Sequence, residues 1–104
     1  MSSISITLAD SARVELLDLW DQYASISEEL ADRILHRLRQ TIARLGEFPE
    51  MGRPRPEFKL PGLRSFAVSP HVIFYSISNS PSVIIHRVAD GRRNLAALFP
   101  NELS

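Results

Sequence analysis

The stretch "GLRSFAVSPHVIFYSIS", residues 62–78, decides the fold. Its second half, Val72-Ile73-Phe74-Tyr75, is apolar at every position and not at every other one. A strand that shows water one face alternates apolar and polar side chains, so this one reads as a central strand covered on both sides. Ser69-Pro70 breaks the stretch into two strands, 63–68 and 71–77, and "SNSP" separates the second from a third at 82–88. Gaps this short permit antiparallel hairpins and no parallel crossover.

Toward the N-terminus, "ISITL" at 4–8 alternates as a short strand with one buried face. Asp10 or Ser11 is placed to cap a helix along which Ala12, Leu16, Leu19, Trp20 and Tyr23 form an apolar stripe. "ASIS" ends it. Ser27 caps a second helix with Glu28 and Glu29 in its first turn and a stripe of Ala31, Leu35, Leu38, Ile42 and Leu45. Gly46 is expected to stop that helix. Residues 47–62 hold four of the seven prolines and two of the four glycines, which rules out helix and central strand and leaves an ordered loop. A short helix around 92–98, ended before Pro100, is expected in the tail. The sum is an α+β fold of order β-α-α-β-β-β, a helical hairpin packed on an antiparallel sheet, in one domain over residues 1–104. The helices cover one sheet face. The loop, the tail or another protein must cover the other, and the small size of the chain points to a partner.

Composition excludes several functions. With 12 basic and 12 acidic residues the net charge is zero, which argues against general adhesion to nucleic acid. Cysteine is absent, so disulfides and thiolate metal sites are excluded. No stretch is long and apolar enough to span a bilayer, and the start lacks a signal-peptide pattern, so a soluble cytoplasmic protein is expected. His36, His71 and His86 have no metal-ligand spacing, and no metal or cofactor is expected. Eleven of the 12 bases are arginine, the side chain suited to planar recognition of carboxylate or phosphate, and Lys59 is the one lysine. Arg33, Arg37 and Arg44 run along the second helix, with Glu29 four residues before Arg33 in the favourable order for an ion pair. They read as a solvated face or as a seat for an acidic partner segment.

Three segments, "LGEFPEMGRPRPEF" (45–58), "PGLRSFAVSPHVIFYSI" (61–77) and "SVIIHRVADGRRNL" (82–95), together resemble the RelE/ParE superfamily of toxins from type II toxin–antitoxin pairs. The resemblance implies a toxin neutralised by a cognate ParD-like or related antitoxin that wraps it, with a toxin dimer inside a hetero-oligomeric complex compatible with the pattern. RelE-like relatives are ribosome-dependent mRNA endonucleases that use Lys and Arg on the phosphate, with a tyrosine or histidine near the C-terminus. ParE-like relatives inhibit DNA gyrase. For a nuclease, the matching positions here are Lys59, Arg64 and Arg87. The family's C-terminal histidine is replaced by Asp90, whose charge opposes a scissile phosphate, and this points to the ParE-like branch. Arg64 and Arg87 are expected at one end or edge of the sheet as a paired cationic site. The surface expected to meet target or antitoxin comprises Arg64, Phe66, Tyr75, Arg87, Arg92 and Arg93.

Overall fold

The computed structural model describes residues 4–79 and 81–99. Its elements are β1 (Ser5–Leu8), α1 (Asp10–Ala24), α2 (Glu28–Glu47), β2 (Arg53–Pro54), β3 (Arg64–Val68), β4 (His71–Ile77) and β5 (Ser82–Asp90). Single 3₁₀ turns lie at Pro49–Met51 and Leu95–Leu98. The strands form one sheet in the order β1-β5-β4-β3-β2, so β4 is central as its two-sided apolar sequence requires. β3, β4 and β5 pair antiparallel through short hairpins. β1 departs from the expected antiparallel sheet: it pairs parallel with β5, at Ser5 with Ser82 through Leu8 with Ile85.

The helices form as their stripes dictate, with two corrections. Ser27 Oγ accepts from the Leu30 N–H at 3.2 Å, the expected cap of α2. Neither Asp10 nor Ser11 caps α1; the N-cap is Ala9, with no side-chain bond. The ladder runs straight into the helix there, because the Ala9 N–H still donates to the Ile85 carbonyl. Gly46 does not stop α2 but lies buried inside it, and the helix ends at Glu47. A Cβ on Gly46 would stand 2.8 Å from Ile6 Cδ1 and 3.2 Å from the Ile4 carbonyl, so the glycine lets β1 close on the helix. Glu29 and Arg33 are not among the ion pairs of the described residues.

The helical side of the sheet packs Leu16, Leu35, Leu38 and Leu45 on Ile73, Tyr75, Val83 and Ile85. The other side overturns the expectation of a partner surface. The chain closes it itself, with Phe58 and Leu63 from the loop and Leu98 from the tail packed on Phe74 and Ala89. Phe74 is met edge-on by Phe58 at 5.6 Å and by Phe99 at 5.1 Å between ring centroids. The expected tail helix is only the 3₁₀ turn, and Pro100 lies outside the described residues. In the proline-rich loop, β2 takes Pro54 at the sheet edge, where a missing N–H costs no ladder bond.

Tyr75 is fully buried and ties the loop to the sheet. Its hydroxyl donates to the Pro49 carbonyl and accepts from the Gly52 N–H, both at 2.7 Å. Gly52 must be glycine here, since a Cβ would overlap that hydroxyl and lie 2.8 Å from the Ser65 carbonyl. Tyr75→Phe strands a buried donor and acceptor, and urea unfolding is expected to show a loss of about 2 kcal/mol. An unchanged midpoint would mean that the turn re-bonds elsewhere.

Candidate functional site

The two strand arginines do not form the expected pair. Arg64 is registered with Tyr75 and shares the helical side of the sheet with Phe66 and Val68. Its guanidinium donates to the Gly52 carbonyl at 2.7 Å and the Glu50 carbonyl at 3.3 Å, stapling the same turn that Tyr75 holds. Alternation along β5 would put Arg87 on that side too, two residues after Ile85. A register shift between Phe74 and Tyr75 intervenes: Tyr75 faces Ile85 while Phe74 faces Arg87, and His86 is the extra residue. The bulge reverses the alternation, so Arg87 falls with Phe74 on the opposite side.

Arg87 then wraps the edge of β5 beyond the end of β1. Glu15 of α1 takes its Nε at 2.8 Å and its Nη2 at 2.6 Å, and accepts the Val88 N–H at 2.8 Å. Arg87 Nη1 donates to the Leu98 carbonyl at 3.2 Å, which ties down the tail. Glu15 was legible as a candidate, being an acid inside the buried stripe between Ala12 and Leu19, and the sequence reading passed over it. Arg55 was also missed. It lies 4.9 Å over the Phe58 ring and bonds Ser65 Oγ at 2.8 Å, behind Phe74.

The remaining expected residues scatter. Tyr75 presents no surface, Phe66 is half-buried against the helices, and Lys59 is exposed on the loop. Arg92 and Arg93 do come together, on the rim of a polar groove of about 530 Å³ floored by His71 and walled by Tyr23, Gln22 and Asp18. Asp90 is bound by Arg92 through Nη2 at 2.6 Å, which holds its carboxyl far below the usual range and raises the guanidinium in turn. His71 is buried, with Nε2 3.4 Å from the Tyr23 hydroxyl. Burial pushes its imidazole below the ordinary value, opposed by Asp90 and aided by Arg92 and Arg37. His86 bonds Ser76 Oγ at 2.8 Å and is lowered by burial as well. Among the described residues no His, Asp or Glu cluster of three could hold a metal ion, and no helix is long and apolar enough to cross a membrane.

On the other side of α1 lies an apolar groove of about 510 Å³ between β1 and the helical hairpin. Ile6, Leu17, Trp20 and Ile42 line it, Leu17 being 63% exposed, and its charged lining residues are Arg13 and Arg39. β1 forms one edge of the sheet beside it, with its outer side unpaired among the described residues.

Comparison with known proteins places this architecture. The profile of the family described as ParE toxin of type II toxin-antitoxin system, parDE, matches residues 6–95. Toxin ParE3 of Caulobacter vibrioides is 42% identical over 69 residues, which is 66% of this chain and 67% of that protein. Toxin ParE1 of Mycobacterium tuberculosis is 28% identical over 93 residues, 85% of this chain and 94% of its own. A chain of the chromosomal ParDE toxin–antitoxin system from P. aeruginosa shares the fold with a TM-score of 0.72 at 20% identity, covering 85% of this chain and 96% of that one. A chain of the M. tuberculosis RelBE2 toxin–antitoxin complex does so at 0.64 and 22%, covering 86% and 99%.

The two lowered histidines give a pH dependence with a definite sign. Above about pH 6.5 the imidazoles are neutral in folded and unfolded chains alike. As the pH drops through about 6.5 the unfolded chain takes up protons that the folded one refuses, so stability falls with falling pH until the folded imidazoles are protonated too. Thermal melts across that range are expected to show this slope, and His71→Gln with His86→Gln to flatten it. An equal slope in the double variant would mean that other groups set the acid limb.

Proposed function

Because this chain belongs to the ParE toxin family of type II toxin–antitoxin systems, we propose that it is neutralised by a cognate ParD-like antitoxin and, once released, inhibits DNA gyrase. The observation that carries the gyrase reading is the separation of its cations. A metal-independent ribonuclease needs a base for the 2′-hydroxyl, a proton donor for the leaving oxygen and cations on the phosphate, all around one point. Arg64 and Arg87 stand on opposite sides of the sheet, one bonded to Gly52 and Glu50 carbonyls and the other to Glu15. His71 lies beneath the polar groove with the Asp90 carboxylate, and His86 is across the sheet beside Ser76. An inhibitor that binds a protein target needs no such convergence, only exposed anchors. Arg92, 82% exposed, and Arg93 beside it are the expected residues best placed to serve.

The apolar groove fits the antitoxin. A segment laid there would bury Leu17 and Ile6 and meet Arg13 and Arg39 with carboxylates. It would also find the open edge of β1 to pair with. These features support an apolar segment carrying acidic residues.

Two measurements test the reading. Purified chain added to gyrase, ATP and plasmid is expected to block supercoiling and trap cleaved DNA, while programmed ribosomes keep their mRNA intact. Codon-phased mRNA cleavage without trapped DNA would reverse the assignment to the RelE-type endonuclease. Leu17→Glu is expected to weaken antitoxin binding at least about tenfold, or ~1.4 kcal/mol, with stability within about 0.5 kcal/mol because the site is exposed. Wild-type affinity in that variant would remove the groove from the interface.

A further inference from the structure

We infer that the solvent ridge of α2 formed by Arg33, Arg37 and Arg44 binds the phosphate backbone of duplex DNA. Residues 33–46 contain four arginines and no carboxylate. Arg39 turns toward the apolar groove, while the other three fall on one line of the helix, opposite the buried Leu35, Leu38, Ile42 and Leu45. All three are exposed. None belongs to the ion pairs found among the described residues. Asp32 shares a groove with Arg33 and Arg39 and keeps its charge, but it accepts Trp20 Nε1 at 2.9 Å and forms no ion pair with either arginine. Arg44 lies 5.7 Å over the exposed Phe48 ring, a contact that leaves its charge uncompensated.

The ridge spans about 16 Å at 1.5 Å per residue. One DNA strand presents a phosphate about every 3.4 Å of axis, so three guanidiniums spread over that length find partners without a fixed register. A protein partner is the weaker fit, because protein interfaces centre on desolvated apolar or aromatic anchors. Between and beside these arginines the ridge offers His36, Gln40, Thr41 and Ala43, with half-buried Ile34 on its flank. The exposed aromatic Phe48 lies at its C-terminal end beneath Arg44 and not at its centre. Glu29 and Glu47 bound it and limit it to a few phosphates, so the contact is modest and independent of base sequence. A net charge of zero adds no attraction beyond the ridge itself, so free duplex is expected to be held weakly and at low salt. The choice of DNA over RNA rests on the gyrase reading, where the target works on duplex DNA.

The test is fluorescence anisotropy of the full-length chain on labelled DNA and RNA duplexes of about 20 base pairs at several salt concentrations. With three phosphates neutralised, the slope of log affinity against log salt is expected to be roughly −3. Each of Arg33→Gln, Arg37→Gln and Arg44→Gln is expected to reduce that slope by about one, and the triple variant to bind at least about tenfold more weakly at low salt. Their melting temperatures are expected to match the wild type, since the side chains are exposed. Equal binding by the triple variant, tighter binding to RNA, or tighter binding to a poly-glutamate of equal charge would each overturn the inference. So would an absence of DNA binding at low salt. The gyrase assay reads a different property, so the ridge can fail while the gyrase reading stands, and the reverse.

Discussion

One buried hydroxyl organises the middle of this molecule. Tyr75 stands on the central strand with its ring in the helix-side core, and its oxygen holds both ends of the Pro49–Gly52 turn. The proline-rich loop has little regular structure of its own, so its path is fixed from outside by that bond and by the Arg64 guanidinium on the neighbouring strand. Desolvation raises the phenol above its ordinary range, which keeps it a proton donor to Pro49 at any physiological pH. From this turn the chain passes through β2 and on to Phe58, which closes the far side of the sheet. The loop that makes the second layer thus depends on a contact made in the first.

α1 separates two surfaces of opposite character. One flank carries Leu16, Leu17 and Trp20 into an apolar groove, and the other carries Asp18, Gln22 and Tyr23 into a polar one. Glu15 sits on the polar flank and reaches β5, which fixes the helix against the sheet and defines both grooves at once. A helix with a single apolar stripe would have been expected to show only one face to a partner.

How much of this was legible follows from where the information resides. The α2 stripe and its Ser27 cap are local, and the sequence carries them openly. The two-sided apolar run of β4 announces a central strand, but what covers its second side depends on Phe58, 14 residues before that run, and Phe99, 24 after it. Gly46 looks like a helix stop because that is the commoner use of glycine near a helix end; its buried position beside Ile4 and Ile6 is a tertiary fact. The bulge at His86 has the largest consequence. One unpaired residue turns Arg87 over, and nothing in "VIIHRVAD" marks it. The arginines were visible as residues, and their geometry was not.

The Glu15 contact also bears on how the chain behaves in solution. Unpaired strand edges are templates for sheet-to-sheet association. Beyond the four residues of β1, β5 would offer such a template, but the Glu15 carboxylate occupies the Val88 N–H and places charge beside it. The opposite edge is the two-residue β2, which carries a proline. Beyond the four residues of β1, the edge left for a partner strand, each rim of the sheet among the described residues is therefore short or blocked, which leaves no long template for sheet-to-sheet stacking.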